Sequence, residues 1–225
     1  MKRLLILALT ALLLTSCAER ITRAEQYPKM YEEKPLAIAV MPPINQTSHV
    51  EAKDYFYTTL YAPLCEKGYY VYSPMMTMEM FQAESAYDAE MFIEGDLSQF
   101  RNILGADAAM FTIIKSWSRS NIGGSLTAGV EYILRSTKTG EILYRREGLI
   151  SVDTSVYTNS KGLFGALVDL AATAVKTAAT DKVVAGRWCT EIVLRDMPEG
   201  RYSPLFDKDH NLPAGKAYIK ETVKR

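Results

Sequence analysis

The chain has 225 residues, of which 48% are hydrophobic and 23% are charged, the composition of an ordinary globular protein. Its 26 basic and 26 acidic residues give a formal net charge of zero, which argues against binding to nucleic acid through overall charge. The length is sufficient for one domain, or at most two small ones, with a core that needs no disulfide or metal.

The N-terminus has the pattern of a secretory signal. Lys2 and Arg3 give a basic start, and an apolar run over residues 4–14 follows. At about 1.5 Å rise per residue, this run is too short as a helix to cross a hydrocarbon core of about 30 Å. Its length and flanks instead fit the apolar segment of a signal peptide.

Residues 14–17 read Leu-Thr-Ser-Cys, which resembles the lipobox of bacterial lipoproteins. The resemblance implies a signal peptide over residues 1–16 and a lipidated Cys17; a plain signal peptide with a chance cysteine is the alternative. Two or more acyl chains on Cys17 would hold the protein on a membrane stably. Ala18 follows where this class commonly has Asp for inner-membrane retention, so the resemblance also implies the periplasmic face of the outer membrane.

Residues 17–34 are polar and are predicted to form a lipidated tether, in which Pro28 breaks any helix. Extended, such a segment would reach roughly 50–60 Å. Cleavage of the signal leaves Cys65 and Cys189 as the remaining cysteines besides Cys17. An oxidising compartment makes them candidates for a disulfide, and two buried free thiols are the alternative.

The first half of the domain alternates between strand and helix patterns. The apolar run 36–41 predicts a buried strand. A helix over residues 51–67 follows, with a kink at Pro63 and Gly68 as its C-cap. The aromatic segment 69–72 predicts a second strand.

Helices are predicted over residues 77–84 and 98–104. Strands over 108–114, 128–135 and 141–146 then form an antiparallel meander. A long helix over 161–184 carries a continuous apolar stripe, formed by Phe164, Leu167, Val168, Ala171, Val175 and Ala178.

This order predicts a single α/β domain over residues 35–195, with a mixed sheet and helices packed on it. Its prolines predict an irregular C-terminal tail over residues 196–225.

No motif in the chain predicts catalysis, and we expect no enzymatic activity, no metal and no cofactor. His49 and His210 lack partners at metal-ligand spacing. Six tyrosines crowd residues 55–72. Tyr57 and Tyr61 would share one helix side, so we predict that they face a binding partner, with core packing as the alternative.

Three segments together resemble a known family: Met-Pro-Pro-Ile-Asn-Gln-Thr at residues 41–47, Gly-Tyr-Tyr-Val at 68–71, and the strand pair that turns within 136–143. With the lipobox, they resemble the lipoproteins named after a genome-derived neisserial antigen, a family of unknown function. More distantly, the chain is similar to the periplasmic domains of CsgG, LpoB-type lipoproteins and the TolB N-terminal domain. The resemblance implies an α/β domain in envelope assembly or transport and no catalytic residues.

The leading hypothesis is an outer-membrane-anchored periplasmic lipoprotein that serves as a non-enzymatic accessory or structural component of an envelope export or assembly complex. Expected partners are the membrane through the lipid anchor, envelope proteins including a CsgG-like lipoprotein, and a second copy of the chain, but no nucleic acid. A periplasmic module that binds small molecules or peptidoglycan is the alternative, and a hydrolase with an unrecognised site is a third hypothesis.

Overall fold

The computed structural model describes residues 20–83, 89–120, 122, 124–156, 162–180 and 182–224. In chain order, the strands are β1 (Ala37–Val40), β2 (Ile44–Asn45), β3 (Tyr70–Val71), β4 (Ala108–Ser120), β5 (Ser125–Ser136), β6 (Ile142–Asp153) and β7 (Tyr218–Lys224). The helices are α1 (Arg23–Gln26), α2 (Pro28–Glu33), α3 (Ala52–Thr59), α4 (Tyr61–Glu66), α5 (Pro74–Ala83), α6 (Glu90–Ile93), α7 (Ser98–Leu104), α8 (Gly162–Ala179) and α9 (Lys182–Val193).

The strands form one mixed sheet in the order β3-β1-β4-β5-β6-β7, and β2 also pairs with β4. β1 is parallel to both β3 and β4. β4, β5 and β6 form the predicted antiparallel meander, and β7 closes the sheet parallel to β6. The prediction of an α/β domain with a mixed sheet is confirmed.

The strands of the meander are longer than predicted, with 13, 12 and 12 residues. Their added ends have one polar face, where the hydroxyls of Thr127 and Ser151 lie 3.0 Å apart across neighbouring strands. The added ends still contribute alternate residues to the main core, among them Trp117, Leu126 and Val152, so they lack the continuous apolar run that marks the rest of each strand. A strand that faces water on one side needs just every second residue to be apolar.

Two hydrophobic clusters cover the two faces of the sheet. On one face, α3 and α9 pack over strand residues that include Met110, Tyr132 and Leu134. On the other face, Leu97 and Phe100 pack against a smaller group of residues from β1, β4 and β5. The core is therefore centred on the middle strands, and the distal half of the meander extends beyond the smaller cluster.

The prediction of a polar tether up to residue 34 is wrong. A capping box between Thr22 and Glu25 begins α1, and Pro28 occupies the first turn of α2. Proline is favoured there because its missing N–H would have no helical acceptor. Tyr27 and Met30 are buried in the main core, so this segment is part of the domain.

The prediction of an irregular tail is wrong in part. Residues 196–217 contain turns and no regular strand or helix, but residues 218–224 form β7 on the edge of the sheet. Met197 and Asp209 are buried within the irregular part. The tail therefore contributes to both the sheet and the core.

Two predicted helices are each divided. The helix over residues 51–67 separates into α3 and α4 at Leu60, three residues before Pro63. Gly68 follows α4 with a φ of +83°, and a Cβ at this position would lie 2.3 Å from the backbone nitrogen of Ser203. The helix over residues 161–184 separates into α8 and α9 around Thr180.

Candidate docking surface on helix α8

Helix α8 has its apolar side chains on the outside. Val175 is 70% exposed and Leu167 is 57% exposed, and Val168 and Ala171 are also exposed. These residues belong to the apolar stripe of the predicted helix over 161–184, and the structure places them on the outside of the domain. The side chain of Phe164, also in the stripe, lies outside the described residues.

Threonines hold the opposite side of α8 against the domain. Thr173 and Thr177 are buried, and the Thr177 hydroxyl lies 2.6 Å from the Thr154 hydroxyl at the end of β6. The Thr173 hydroxyl accepts a hydrogen bond from the Val156 backbone N–H at 2.9 Å. At 3.6 residues per turn, positions 173, 177 and 180 share one side of the helix, and the exposed aliphatic residues lie on the other.

The C-terminal end of α8 is fixed by a cation. The guanidinium of Arg119, at the end of β4, donates to the carbonyl oxygens of Ala178 at 3.1 Å and Thr180 at 2.8 Å. These carbonyls belong to the last turn, where a helix lacks internal donors and favours positive charge. The helix is therefore seated by polar contacts, and its aliphatic side is left free for another surface.

We name the exposed side of this helix the α8 face, formed by Leu167, Val168, Ala171 and Val175. The charged residues in the described part of α8, Asp169 and Lys176, lie on its inward flank and outside this arc. Ile122, at the turn between β4 and β5, is also exposed. Because Gly124 of this turn lies against Thr173, Ile122 lies at the same end of the molecule as α8.

The two tyrosines that were predicted to bind a partner have different environments. Tyr57 is only 6% exposed, and its hydroxyl donates to the carbonyl oxygen of Pro74 at 2.6 Å. Burial also raises the pKa of Tyr57. Tyr57 is thus a core residue, so the prediction for it is wrong. Tyr61 is 44% exposed on α4 and remains available to a partner.

The predicted disulfide between Cys65 and Cys189 is not formed in the structure, where both are free cysteines. Cys189 is buried beneath the sheet, with its sulfur 3.5 Å from the carbonyl oxygen of Ala128. Burial raises the pKa of this thiol, which makes the reactive thiolate scarce. Cys65 lies on α4 and is partly exposed. The two therefore follow the alternative of free thiols, although only one of them is buried.

Two open depressions lie near the sheet, with volumes of about 320 and 440 Å³. The charged groups of the larger one pair with each other: Lys29 with Glu141 at 3.2 Å and Arg101 with Asp107 at 3.6 Å. The smaller one contains Arg135, whose guanidinium donates to the backbone carbonyl of Ile93 at 2.7 Å. Within the described ranges, no cluster of three His, Cys, Asp or Glu residues is arranged for a metal ion.

The end of the domain near its N-terminus is held by buried ion pairs. Asp196 pairs with Arg146 and accepts a hydrogen bond from the Tyr27 hydroxyl at 3.0 Å. Asp209 pairs with Arg23 at 3.0 Å and accepts from the Tyr31 hydroxyl at 3.1 Å. Burial lowers the pKa of Arg146, and it raises the pKa of Tyr27. We name these six residues the polar lock, because they join α1 and α2 to the C-terminal segment.

Cys17 and the signal sequence over residues 1–16 lie outside the described residues. Among the residues that are described, no helix combines the length and apolar character that a membrane crossing requires.

The chain is similar to known lipoproteins in sequence. A family described as "Putative lipoprotein GNA1162-like" matches residues 25–200. The "Putative lipoprotein NMB1124/NMB1162" of Neisseria meningitidis serogroup B (strain ATCC BAA-335 / MC58) is 26% identical over 181 residues, which cover 79% of this chain and 83% of the relative.

Solved structures show weaker similarity. Lipoprotein GNA1162 from Neisseria meningitidis is 23% identical, with a TM-score of 0.46, over 65% of this chain and 100% of that one. A dodecamer of a PelC variant from Paraburkholderia phytofirmans is 13% identical, with a TM-score of 0.45, over 75% and 91%. The LpoB C-terminal domain from Escherichia coli is 16% identical, with a TM-score of 0.34, over 55% and 93%. Since the family match covers most of the domain, the chain belongs to the GNA1162-like family of lipoproteins.

Proposed function

We propose that this protein is anchored through Cys17 to the outer membrane, faces the periplasm, and serves as a non-enzymatic accessory or structural component of an envelope export or assembly complex. Its mechanism is tethering: the lipid confines the domain to the membrane, which raises its effective concentration for partners there. The observation that carries the proposal is the α8 face, an uncharged aliphatic surface on the outside of the domain.

The partner that fits the α8 face is an envelope protein with an apolar groove. Helix α8 has 18 residues, so it is about 27 Å long and about 10 Å wide. Two such faces laid together cover much less than the roughly 800 Å² per partner of a standard protein interface. A groove contacts a helix along both sides as well as on its outermost residues, and therefore buries more of its surface area than a second helix does.

A lipid bilayer fits the α8 face less well than a protein groove does. Helices that lie in a membrane interface usually carry Lys and Arg along their polar side, next to the headgroups. The polar side of α8 instead has Thr173 and Thr177, which are buried against the domain. The α8 face is therefore better suited to the apolar interior of a protein interface.

The interaction is tested with a photoreactive amino acid at position 175 of the full-length protein in living cells. Irradiation should join it to an envelope protein, and Val175→Ser together with Val168→Ser should abolish co-purification of that protein without changing the melting temperature. The matched control is Ile103 on α7, which is comparably exposed: the probe at position 103 should give no such product, and Ile103→Ser should leave co-purification intact.

Crosslinked products that contain only two copies of this chain would contradict the proposed groove, because they would show that the α8 face binds a second copy of the chain. Equal products from positions 175 and 103 would show that the α8 face is not a specific surface. A separate experiment tests the anchor: palmitate should be incorporated into the parent chain, and Cys17→Ala should release the protein from the outer-membrane fraction. Unchanged fractionation of Cys17→Ala would contradict anchoring.

A further inference from the structure

The described chain begins against the C-terminal segment. The backbone N–H of Ala214 donates to the carbonyl oxygen of Ile21 at 2.8 Å, and that of Arg23 donates to the carbonyl oxygen of Leu212 at 2.9 Å. Thr22 and Pro213 form an antiparallel bridge between these two bonds. The point at which the chain leaves the domain toward Cys17 is therefore fixed beside residues 212–214.

Very little chain separates this point from the lipid. Three residues lie between Cys17 and Ile21, so four steps of no more than about 3.6 Å each span at most about 14 Å. The headgroup region on one side of a bilayer is itself about 5–8 Å thick. A lipidated Cys17 would thus keep Ile21 within or just above the headgroups.

The polar lock prevents the domain from lengthening this connection. To move Ile21 away from Leu212, α1 would have to separate Arg23 from Asp209, whose side chain is 1% exposed. Beyond α1, the Tyr27 hydroxyl is bound to buried Asp196. Separating such buried pairs leaves charges without partners in the interior of the domain, which is strongly unfavourable.

The surface around the exit point has the composition of a membrane contact. Ile21 is 56% exposed and Leu212 is 43% exposed, on the two segments that the backbone hydrogen bonds at this point join. Arg20, directly before Ile21, and Lys216, four residues after Leu212, are also exposed. Apolar side chains can enter the boundary between headgroups and acyl chains, and basic side chains are attracted by anionic headgroups.

We propose that this anchor-side surface, formed by Arg20, Ile21, Leu212 and Lys216, rests directly on the phospholipid headgroups. The proposal rests on lipidation of Cys17, which is part of the proposed function, and it adds a fixed orientation of the domain on the bilayer. The occupant is a lipid surface that contains anionic phospholipid, because the surface combines aliphatic and basic groups.

This orientation directs the α8 face away from the anchor. On β6, Glu147 pairs with the start of β7 just beyond the anchor-side surface, and Thr154 contacts α8. Seven residues of strand separate these positions, which corresponds to about 23 Å. A partner could therefore reach the α8 face while the anchor-side surface remains on the membrane.

The test uses the full-length lipidated protein in vesicles of about three parts phosphatidylethanolamine to one part phosphatidylglycerol, made with lipids brominated near the headgroup. Leu212→Trp places a fluorophore on the anchor-side surface, and Ile122→Trp is the matched control beside α8. Emission of the parent, which contains Trp117 and Trp188, is subtracted. The bromines should quench at least about half of the added emission at position 212 and almost none at position 122.

Ile21→Trp is a second variant on the same surface, and the bromines should quench it to the same extent. It replaces Leu212→Trp if that variant does not fold. Vesicle-bound protein in which positions 212 and 21 are not quenched, or are quenched no more than position 122, would overturn the fixed orientation and leave the proposed function intact. Protein that carries no acyl chain and does not bind vesicles would instead overturn the proposed function, and this inference with it.

Discussion

The two ends of the domain distribute their polar and apolar groups in opposite ways. At the end near the N-terminus, the polar lock buries Asp196, Arg146 and Asp209. At the other end, α8 exposes Val175 and Leu167 while its threonines face inward. Each arrangement departs from the usual rule that apolar groups are buried and charges are exposed.

The difference separates residues that maintain the fold from residues that are free to bind. A buried ion pair tolerates little change, because either partner without the other is a buried charge without compensation. An exposed valine contributes little to the stability of the isolated domain, so a group of exposed aliphatic residues on the α8 face is better explained by a contact with another molecule. Three experiments test this contrast.

The largest effect is expected at the polar lock. Asp196→Ala would leave Arg146 without its buried counter-ion and Tyr27 without its acceptor, and should lower the free energy of unfolding by about 3–5 kcal/mol. Urea unfolding of the purified protein measures it. Asp54→Ala on the exposed surface of α3 is the control and should change stability by less than about 0.5 kcal/mol. Equal losses of stability in the two variants would show that the polar lock does not stabilise the fold.

A smaller effect is expected where α8 is seated. Thr177→Val keeps the shape of the side chain but leaves the buried Thr154 hydroxyl without its partner, and should cost about 1–2 kcal/mol. Hydrogen exchange of peptides within residues 162–180 should accelerate more than exchange of α2. Thr58→Val, on the exposed side of α3, is the control. Unchanged exchange in α8 would show that its threonines do not fix it.

The smallest effect concerns pH and the polar face of the sheet. Burial raises the pKa of Glu131, but hydrogen bonds from Lys115 and Arg145 outweigh burial, so its pKa lies below its usual range. Glu131 therefore adds stability above the unfolded-state pKa of about 4.3, and this stability is lost as the pH falls through the lower folded-state value.

Glu131→Gln should accordingly reduce stability at pH 7, by less than about 1 kcal/mol, and the difference from the parent should shrink as the pH falls below the unfolded-state pKa and through the lower folded-state value. Melting curves across this range measure the difference, with Glu90→Gln on the surface of α6 as the control. A stability difference between Glu131→Gln and the parent that grows as the pH falls would show that the pKa of Glu131 is raised in the folded state, and not lowered.

The sequence predicts those elements whose signals are local. Gly105 ends α7 at the expected residue with a φ of +70°, and Gly68 ends α4 in the same left-handed conformation. The capping box at Thr22 and Glu25 was also a local signal for α1, but Pro28 was interpreted as a helix breaker. Proline breaks the interior of a helix and favours its first turn, so only the position of the helix start decides between the two.

The candidate site is less predictable because it depends on what covers a helix. Periodicity identifies Leu167, Val168 and Val175 as neighbours on one side of α8, but it does not specify whether that side meets the core or another molecule. Thr173 and Thr177 lie one turn apart on the other side of α8. Their hydroxyls can form hydrogen bonds with the end of a strand, which indicates that this side is the one that faces the domain. The six tyrosines of residues 55–72 also did not reveal from sequence which of them are exposed, because burial depends on contacts distant in sequence.

The seating of the N-terminal helices against residues 209–214 has a consequence for biogenesis. Arg23 pairs with Asp209 across 186 positions of sequence, so the first described helix is held by one of the last segments to be synthesised. Contacts so distant in sequence form slowly, and they cannot form before the C-terminus has emerged. During the export that lipidation of Cys17 would require, the chain would therefore stay open and close only when its translocation is finished.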